Sequence, residues 1–378
     1  MKIAQLFLFW ALWYLAFSTR SLISPFLPII EDAFAIRHAM AGGLVFFVAV
    51  GSTLALGVTG YLAQHVGAKR LIAASFVLAA GALIGLYYAG TYASFAFFLF
   101  LFGIGGGFYL PCAIPILTTV FDRAHWGKAI AVHETAAGFS ILSIPFLVAL
   151  ALGMMPWRSI FLILAGAFFV MVLVFWRMGP DPALQRQKRI GLSALLTRAD
   201  YWIILVLWVA SGVGVLGVYN IVPIFLVDEK AMAVETANQL LALSRVGGFT
   251  GQIGLGFFMD RLKTKRVLAF LSIASGLSAI GLASVHSQWL LALMLVLQGT
   301  FCVVFFPAGI VAISKLTTEQ ERGLYTGTIM AVSGVVGMGI APAVLGAIAD
   351  AWSFQAGLYM IGIGTLAACL LLGFLKDM

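Results

Sequence analysis

Four ionisable side chains are candidates for chemistry because they lie inside long apolar stretches of the 378-residue chain. Arg20 and Arg245 are the basic residues that lie away from the ends of predicted membrane spans, and Glu134 is the one acid, of fourteen, well inside such a span. His133 directly precedes that acid. An ionised side chain at the bilayer centre costs about 2.5–3.5 kcal/mol on insertion scales, so each of these positions is a functional candidate.

The two arginines predict an anion-binding site. Their spacing from Glu31 and Glu235 puts both about 15 Å below the same membrane face, at about 1.5 Å per helical residue. One glutamate cannot neutralise two arginines, and a small anionic substrate is a natural counter-ion for the surplus. The planar guanidinium group binds a carboxylate in a bidentate manner. The alternative is that both arginines pair with acids or helix C-termini to hold the bundle together.

Uncharged polar residues extend this prediction. Asn238, Arg245 and Gln252 recur every seven residues, which places them on one helix face and predicts a stripe that faces water. Ser24 lies one turn beyond Arg20. The remaining candidate ligands, each equally able to bond a neighbouring helix, are Tyr109, Tyr219, Asn220, Gln298 and Tyr325.

Glu134 is a candidate proton carrier. Burial raises the proton affinity of a carboxyl group and a nearby cation lowers it, so a carboxyl at this depth is suited to gain and lose a proton. His133 is expected to tune or relay that proton, although adjacent helical residues point about 100° apart and are not expected to share one role. The alternative is a structural pair with a cytoplasmic base such as Lys128.

Composition defines the elements that position these residues. The chain is 62% hydrophobic and 10% charged, with a mean hydropathy of +1.08, whereas soluble domains are about 25% charged. A water-soluble enzyme is therefore excluded. The net charge of +8 lies in short loops, which indicates membrane topology and no nucleic-acid partner. The three cysteines lie in apolar stretches and offer neither a disulfide framework nor metal-ligand spacing. No nucleotide-binding loop or Ser/His/Asp arrangement occurs either, so no cofactor and no catalytic residue are predicted.

Apolar runs of about 20 residues predict an all-α membrane protein with twelve transmembrane helices. The first run is too long for a signal peptide and has no small-residue cleavage site, so it is expected to stay as a helix. The predicted spans are 3–30, 40–63, 70–90, 93–121, 127–150, 157–177, 201–227, 236–258, 267–285, 289–315, 323–350 and 354–375.

Basic residues predict the orientation. Seventeen lysines and arginines fall on one side of the predicted topology and three, Arg37, Arg158 and Lys230, on the other. Because loops rich in lysine and arginine stay on the cytoplasmic side, both termini are expected in the cytoplasm. The protein is expected in the inner membrane of the cell. The long basic connection predicts a linker at 179–200 between bundles at 1–178 and 201–378.

The two predicted bundles are related by an offset of 196 residues. Lys69-Arg70 aligns with Lys265-Arg266, and Pro111 with Pro307. Seven glycine pairs share the offset, which predicts a parallel duplication whose substrate site lies near mid-depth. The aligned glycines are Gly51 with Gly247, Gly60 with Gly256, Gly85 with Gly281, Gly103 with Gly299, Gly127 with Gly323, Gly138 with Gly334, and Gly166 with Gly362.

The loop after the second span resembles the major facilitator superfamily (MFS) signature, Gly-x-x-x-Asp-x-x-Gly-x-Arg/Lys-Arg/Lys. Residues 60–70 match it except that Gln64 replaces the aspartate, and residues 256–266 match except that Lys263 replaces the second glycine. The resemblance implies two pseudo-symmetric six-helix bundles, an MFS fold, and a cytoplasmic gate. The implied gating residues are Gly60, Gln64, Gly67, Lys69, Arg70, Gly256, Asp260, Arg261, Lys265 and Arg266.

Two patterns of that family are absent. No arginine or lysine occurs between residues 93 and 122, where proton-coupled members carry an arginine in the fourth span. Gly138 and Pro145 do not form the Gly-Pro signature of drug antiporters in the fifth span.

The resulting hypothesis is a non-enzymatic, alternating-access transporter that carries a small organic anion, a mono- or dicarboxylate, together with protons. It is expected to work as a monomer whose other partners are membrane lipids. The alternatives are transport or exchange of an inorganic anion such as nitrate, export of a lipophilic compound, favoured by 31 phenylalanines, and, least favoured, a non-transporting receptor.

Overall fold

The computed structural model describes residues 2–122, 125–181, 193–258 and 263–375, and helices occupy all twelve predicted spans. Ten spans are long and apolar enough to cross a membrane, and a bent helix pair supplies an eleventh. The helices are α1 Lys2–Ser21, α2 Leu27–Phe34, α3 His38–Val66, α4 Ala68–Tyr88, α5 Tyr92–Gly107, α6 Tyr109–Val120, α7 Trp126–Leu152, α8 Ser159–Met178, α9 Ser193–Leu196, α10 Ala199–Gly212, α11 Val218–Asp228, α12 Val234–Phe258, α13 Thr264–Ser284, α14 Gln288–Leu316, α15 Glu319–Ser333, α16 Ala341–Ala351 and α17 Phe354–Leu370.

The first predicted span is not one continuous helix. A short 3₁₀ segment, Ser24–Phe26, separates α1 from α2, and the two helices are bent by 41°. Proline has no backbone N–H and disfavours a continuing α-helix. Pro25 lies in the 3₁₀ segment and Pro28 in the first turn of α2, so the break follows from these two residues.

The eighth predicted span is a 25-residue helix, α12, that is not among the ten apolar spans. Polar residues along its length, Asn238, Arg245 and Gln252 among them, lower its hydropathy. Hydropathy alone therefore does not identify α12 as a span, but the helix packs closely against α14.

The chain folds into two compact units. Unit 1 comprises Met1–Ala35 and Leu44–Gln187, and unit 2 comprises Ile36–Gly43 and Lys188–Met378. In unit 1, α1 packs on α7, and α4 on α5 and α8. Buried aromatic rings fill its core, because large apolar side chains remove much surface from solvent. They include Phe9, Phe76, Phe102, Phe168 and Phe175.

In unit 2, α14 packs on α12 and α13, and α13 packs on α17. Its core includes Tyr201, Trp208, Leu268, Ile313 and Ile329. The first turn of α3 also belongs here: the Asp350 carboxylate accepts hydrogen bonds from the backbone nitrogens of His38 and Ala39, at 3.2 and 3.0 Å. Asp350 thereby satisfies two donors that a helix start leaves without partners.

Two π-helical segments occur in unit 2. Val213–Gly217 joins α10 to α11, and Gly334–Ile340 joins α15 to α16. They pack against each other, and a Cβ atom added to Gly337 would lie 2.6 Å from the backbone carbon of Gly212. Glycine is thus required for this close crossing. Single π turns within α-helices are frequent at functional sites.

The 196-residue offset recurs in three dimensions. The Lys69 ammonium donates a 2.7 Å hydrogen bond to the carbonyl of Gly179, and Lys265 donates one of the same length to Leu375, which is offset from Gly179 by the same amount. A Cβ atom on Gly103 would collide with the Val48 carbonyl oxygen, and one on Gly299 with that of Ser244. The protein is thus an all-helical membrane protein with two pseudo-symmetric bundles.

Candidate functional site

Arg245 lies in the middle of α12 and is 2% exposed. Among the described residues, its Nε, Nη1 and Nη2 atoms have no hydrogen-bond partner. The guanidinium carbon lies 5.0 Å from the centroid of the Tyr219 ring on α11, within cation–π distance. A ring face offsets only part of the cost of burying a cation, so the guanidinium group retains the capacity to bind an anion.

We call Arg245, Tyr219, Gln298, Gly299 and Cys302 the Arg245 cluster. A Cβ atom added to Gly299 would lie 3.3 Å from Nη1 of Arg245, so this glycine makes room for the guanidinium group beside α14. Gln298 Nε2 donates 2.8 Å to the Gly214 carbonyl in the first π segment and 3.3 Å to Cys302 Sγ. The amide oxygen of Gln298 has no partner among the described residues.

Asn220 on α11 and Gln252 in the α12 stripe are each held by a hydrogen bond to a helix carbonyl. Asn220 Nδ2 donates 2.7 Å to the Leu216 carbonyl, and its Oδ1 has no partner among the residues described. The sequence predicts that the stripe faces water, and this prediction is wrong for its first two members. Asn238 and Arg245 are buried, while Gln252 is half-buried and donates 3.2 Å to the Val303 carbonyl on α14.

Arg20 lies in the last turn of α1 and is partly exposed. Its guanidinium carbon is 5.5 Å from the Phe17 ring centroid, and its charge interacts with that of Glu134 on α7. Ser24 is buried at the start of the 3₁₀ break that follows. Arg20 therefore has an acid within electrostatic range in its own unit.

His133 and Glu134 lie in the first third of α7 and are hydrogen-bonded to each other, with His133 Nδ1 3.1 Å from Glu134 Oε1. The two side chains are in direct contact although they are adjacent on the helix, and the expectation that they do not share one role stays a prediction. His133 is fully buried, whereas the Glu134 side chain is 46% exposed. The Glu134 side chain is thus less buried than the sequence predicts.

Tyr109 contacts this pair. Its hydroxyl group donates 2.7 Å to the Phe9 carbonyl and lies 3.1 Å from His133 Nε2. The Trp13 indole is nearly parallel to both rings, with centroids 5.5 Å from Tyr109 and 5.7 Å from His133. We call Trp13, Tyr109, His133 and Glu134 the His133 cluster. Since both hydroxyl contacts of Tyr109 are internal, its predicted role as a substrate ligand has no geometric support.

Tyr325 belongs to a different cluster of unit 2. The Arg198 guanidinium lies over its ring, with the carbon 5.7 Å from the centroid. Arg198 also donates to both carboxylate oxygens of Asp200, at 2.6 and 3.1 Å, to the Leu316 carbonyl at 2.7 Å and to Glu321 at 3.4 Å. The hydrogen bond to Asp200 holds the pKa of Arg198 above its ordinary value. The sequence does not reveal this network because its members are up to 123 residues apart.

The predicted gating residues are only partly described. Asp260 and Arg261 lie outside the described residues, and Gly256 falls in the last turn of α12. Gly67 has φ +90°, a conformation that favours glycine, whereas the aligned Lys263 has φ −69°. This difference explains how the second loop accommodates lysine at the signature's glycine position. The exposed members are Gly60, Gln64, Arg70 and Arg266.

Known proteins resemble the chain along most of its length. It is 26% identical over 336 residues to the multidrug resistance protein MdtG of Serratia proteamaculans, covering 84% of this chain and 81% of the relative. It is 27% identical over 282 residues to the 3-(3-hydroxy-phenyl)propionate transporter of Escherichia coli, covering 70% and 67%.

Solved structures share the fold. A bacterial homologue of the human lysosomal transporter Spinster, in an inward-facing and occupied conformation, superposes with a TM-score of 0.83 at 13% identity, covering 98% of this chain and 96% of that one. The inward-open xylose transporter XylE of E. coli gives 0.81 at 13% identity, with 100% and 97% covered. The Major Facilitator Superfamily profile matches residues 9–285 and 232–377. The chain therefore belongs to the Major Facilitator Superfamily, as a multi-pass membrane transporter of a small molecule.

Proposed function

We propose that this transporter carries a small organic anion, a mono- or dicarboxylate, with Arg245 as its principal ligand. The observation that carries the proposal is the fully buried guanidinium group whose three nitrogens lack hydrogen-bond partners among the described residues. An unpaired buried charge costs several kcal/mol. A bound carboxylate accepts two parallel N–H bonds from an arginine and removes that cost.

An organic anion fits the surroundings better than an inorganic one. The Tyr219 ring beside the guanidinium group offers an apolar face to the carbon skeleton of a ligand. The E. coli relative named for 3-(3-hydroxy-phenyl)propionate supports the same class, since that compound is an aromatic carboxylate. Nitrate transport remains the alternative if charge alone governs binding.

Proton coupling completes the proposal. Glu134 is the acid that would gain and lose a proton, and Arg20 is the cation within its electrostatic range. Uptake would then be symport by alternating access between bundles at 1–178 and 201–378, joined by the 179–200 linker, with the loops at 60–70 and 256–266 as cytoplasmic gates. The excess of basic residues in one set of loops supports a topology with both termini in the cytoplasm.

The test is ligand-induced stabilisation of the purified protein. A ligand of the folded state raises its melting temperature, so 3-phenylpropionate should stabilise the wild type and the matched neutral amide should not. Arg245→Lys keeps the charge but loses the fork, and is expected to weaken carboxylate binding at least about tenfold, or 1.4 kcal/mol. Arg158→Lys, at a loop arginine bonded to backbone carbonyls, is the matched control.

Unchanged carboxylate affinity in Arg245→Lys would overturn the assignment. Stabilisation by nitrate but by none of a panel of carboxylates would favour the inorganic alternative.

Export of a lipophilic compound is the second candidate, because several relatives are named multidrug resistance protein MdtG. The two functions differ in the role of Arg245. Efflux of uncharged or cationic dyes should survive Arg245→Gln, whereas carboxylate transport should not. Dye efflux from cells that express the protein, with no carboxylate uptake into proteoliposomes, would favour the exporter.

A further inference from the structure

We propose that Tyr109 fixes the tautomer of His133 so that the His133–Glu134 contact exists only when the pair holds one additional proton. This deepens the proposed proton coupling, but the proton site itself depends on contacts within unit 1 alone. Tyr109 is a positioning residue, and the proton-binding groups are His133 Nδ1 and Glu134 Oε1.

The Tyr109 hydroxyl group has a single hydrogen to donate. A carbonyl oxygen only accepts, so the 2.7 Å contact with Phe9 O uses that hydrogen. The 3.1 Å contact between the hydroxyl oxygen and His133 Nε2 then requires Nε2 to be the donor. Tyr109 therefore selects the Nε2–H form of the imidazole.

The consequence appears at the other ring nitrogen. In a neutral Nε2–H imidazole, Nδ1 carries a lone pair and accepts. It lies 3.1 Å from Glu134 Oε1, and two acceptors do not form a hydrogen bond. The contact needs a proton either on Nδ1, which gives an imidazolium beside a carboxylate, or on Glu134, which gives a neutral pair.

Trp13 favours the charged alternative for the loaded state. Its indole plane lies within 6° of the imidazole plane, with the centroids 5.7 Å apart. A tryptophan face stabilises a cation at this distance. The indole N–H of Trp13 has no partner among the described residues and so takes no part in the proton path.

Loss of the proton should separate Glu134 from His133 while leaving Tyr109 in place. His133 and Tyr109 are both fully buried, so breaking their hydrogen bond would leave two groups without solvent. The Glu134 side chain is 46% exposed and can be hydrated instead. The neutral histidine is therefore expected to keep Nε2–H, and Glu134 is released as a carboxylate.

The charged and titratable groups around the pair are few among the described residues. Arg20 on α1 interacts with Glu134, and Tyr14 on α1 is hydrogen-bonded to Ser143. Tyr109 is the titratable group from α6. Because Arg20 is the cation in range, the released carboxylate turns to Arg20, and the proton-loaded state leaves Arg20 available to an anion. This last step rests on the proposed function.

The test is nitrogen NMR of protein labelled with ¹⁵N-histidine, with the His133 signals assigned by their loss in His133→Gln. The wild type is expected to show protonation of Nε2 at every pH, with the Nδ1 proton lost on raising the pH. In Tyr109→Phe the constraint is gone, so the neutral ring should switch to Nδ1–H, which donates to ionised Glu134. Tyr14→Phe, at the same α1–α7 interface, should retain Nε2–H.

A neutral Nδ1–H tautomer in the wild type overturns the proposal, and this measurement does not require the Tyr109 variant to fold. An unchanged tautomer in Tyr109→Phe overturns it as well. Anion binding then tests the coupling step. As the pH rises, the anion affinity of the wild type should fall by up to about tenfold per pH unit, as expected for one linked proton. The affinity of Tyr109→Phe should fall less steeply. If the expected tautomers are observed but anion binding does not depend on pH, the coupling to anion binding is rejected and the proton site at His133 and Glu134 is retained.

Discussion

Arg20 of unit 1 and Arg245 of unit 2 are both deep-lying arginines, yet their charges are compensated in different ways. Arg20 is partly exposed and has Glu134 within electrostatic range. Arg245 is buried against a tyrosine ring and a glycine, with no carboxylate pair among the described residues. A charge with a titratable partner is suited to respond to protons, and a charge with none is suited to bind an anion.

The largest expected difference between the two arginines is in stability without ligand. Arg245→Met removes an unpaired buried cation and keeps the aliphatic stem, so it should raise the free energy of unfolding by about 1–3 kcal/mol. Arg20→Met leaves Glu134 without its cation and should not stabilise. Denaturant unfolding of both variants in anion-free detergent measures the contrast. Equal destabilisation by both substitutions would show that Arg245 is compensated like Arg20.

The next difference is in pH dependence. Glu134→Gln fixes a neutral side chain that resembles the proton-loaded acid, so anion uptake should lose its dependence on pH while exchange of bound anion continues. Proteoliposome uptake with and without a pH gradient measures this. Glu235→Gln, at an exposed acid in the first turn of α12, is the matched control. Uptake by Glu134→Gln that follows pH as in the wild type would remove Glu134 from the mechanism.

A smaller difference concerns the ion pairs near the start of each bundle. Arg198 binds Asp200 through two nitrogens and also the Leu316 carbonyl, so Arg198→Ala should lower the free energy of unfolding by about 1 kcal/mol. The Lys2–Asp122 pair, at 2.8 Å, is exposed, and Lys2→Ala should have little effect. Thermal unfolding of both variants compares them. A larger effect from Lys2→Ala would contradict this order.

The same exposed pair gives the smallest expected effect, in acid. The hydrogen bond from Lys2 holds the pKa of Asp122 below its ordinary value. A lowered folded-state pKa contributes stability above the unfolded-state pKa, and this is lost as the pH falls through the lowered value. Asp122→Asn should therefore slightly reduce the dependence of the melting temperature on pH below about pH 4. If the melting temperature of Asp122→Asn depends on acid pH as in the wild type, the Lys2–Asp122 pair does not contribute to the stability of unit 1.

The sequence predicts the helices well because apolar runs and turn residues are local signals. It also identifies Arg245, since a cation in an apolar run is conspicuous in any fold. It does not predict the contact between Tyr109 and His133, which lie 24 residues apart on different helices. Their contact depends on how α6 and α7 pack, and nothing in either segment specifies that arrangement. The prediction that Asn238 faces water is wrong for the same reason, because periodicity defines a helix face but not what covers that face.

The π segment Gly334–Ile340 lies between two glycines, Gly323 and Gly362, that both keep the 196-residue offset. Between these two glycines the chain therefore shows no net gain of residues relative to its first half. The wider turn is instead a conformation that the same number of residues adopts against Gly212. A segment of this kind can tighten into an α-helix without any change in chain length. This change would rotate α16 about the helix axis relative to α15 and shift it along that axis.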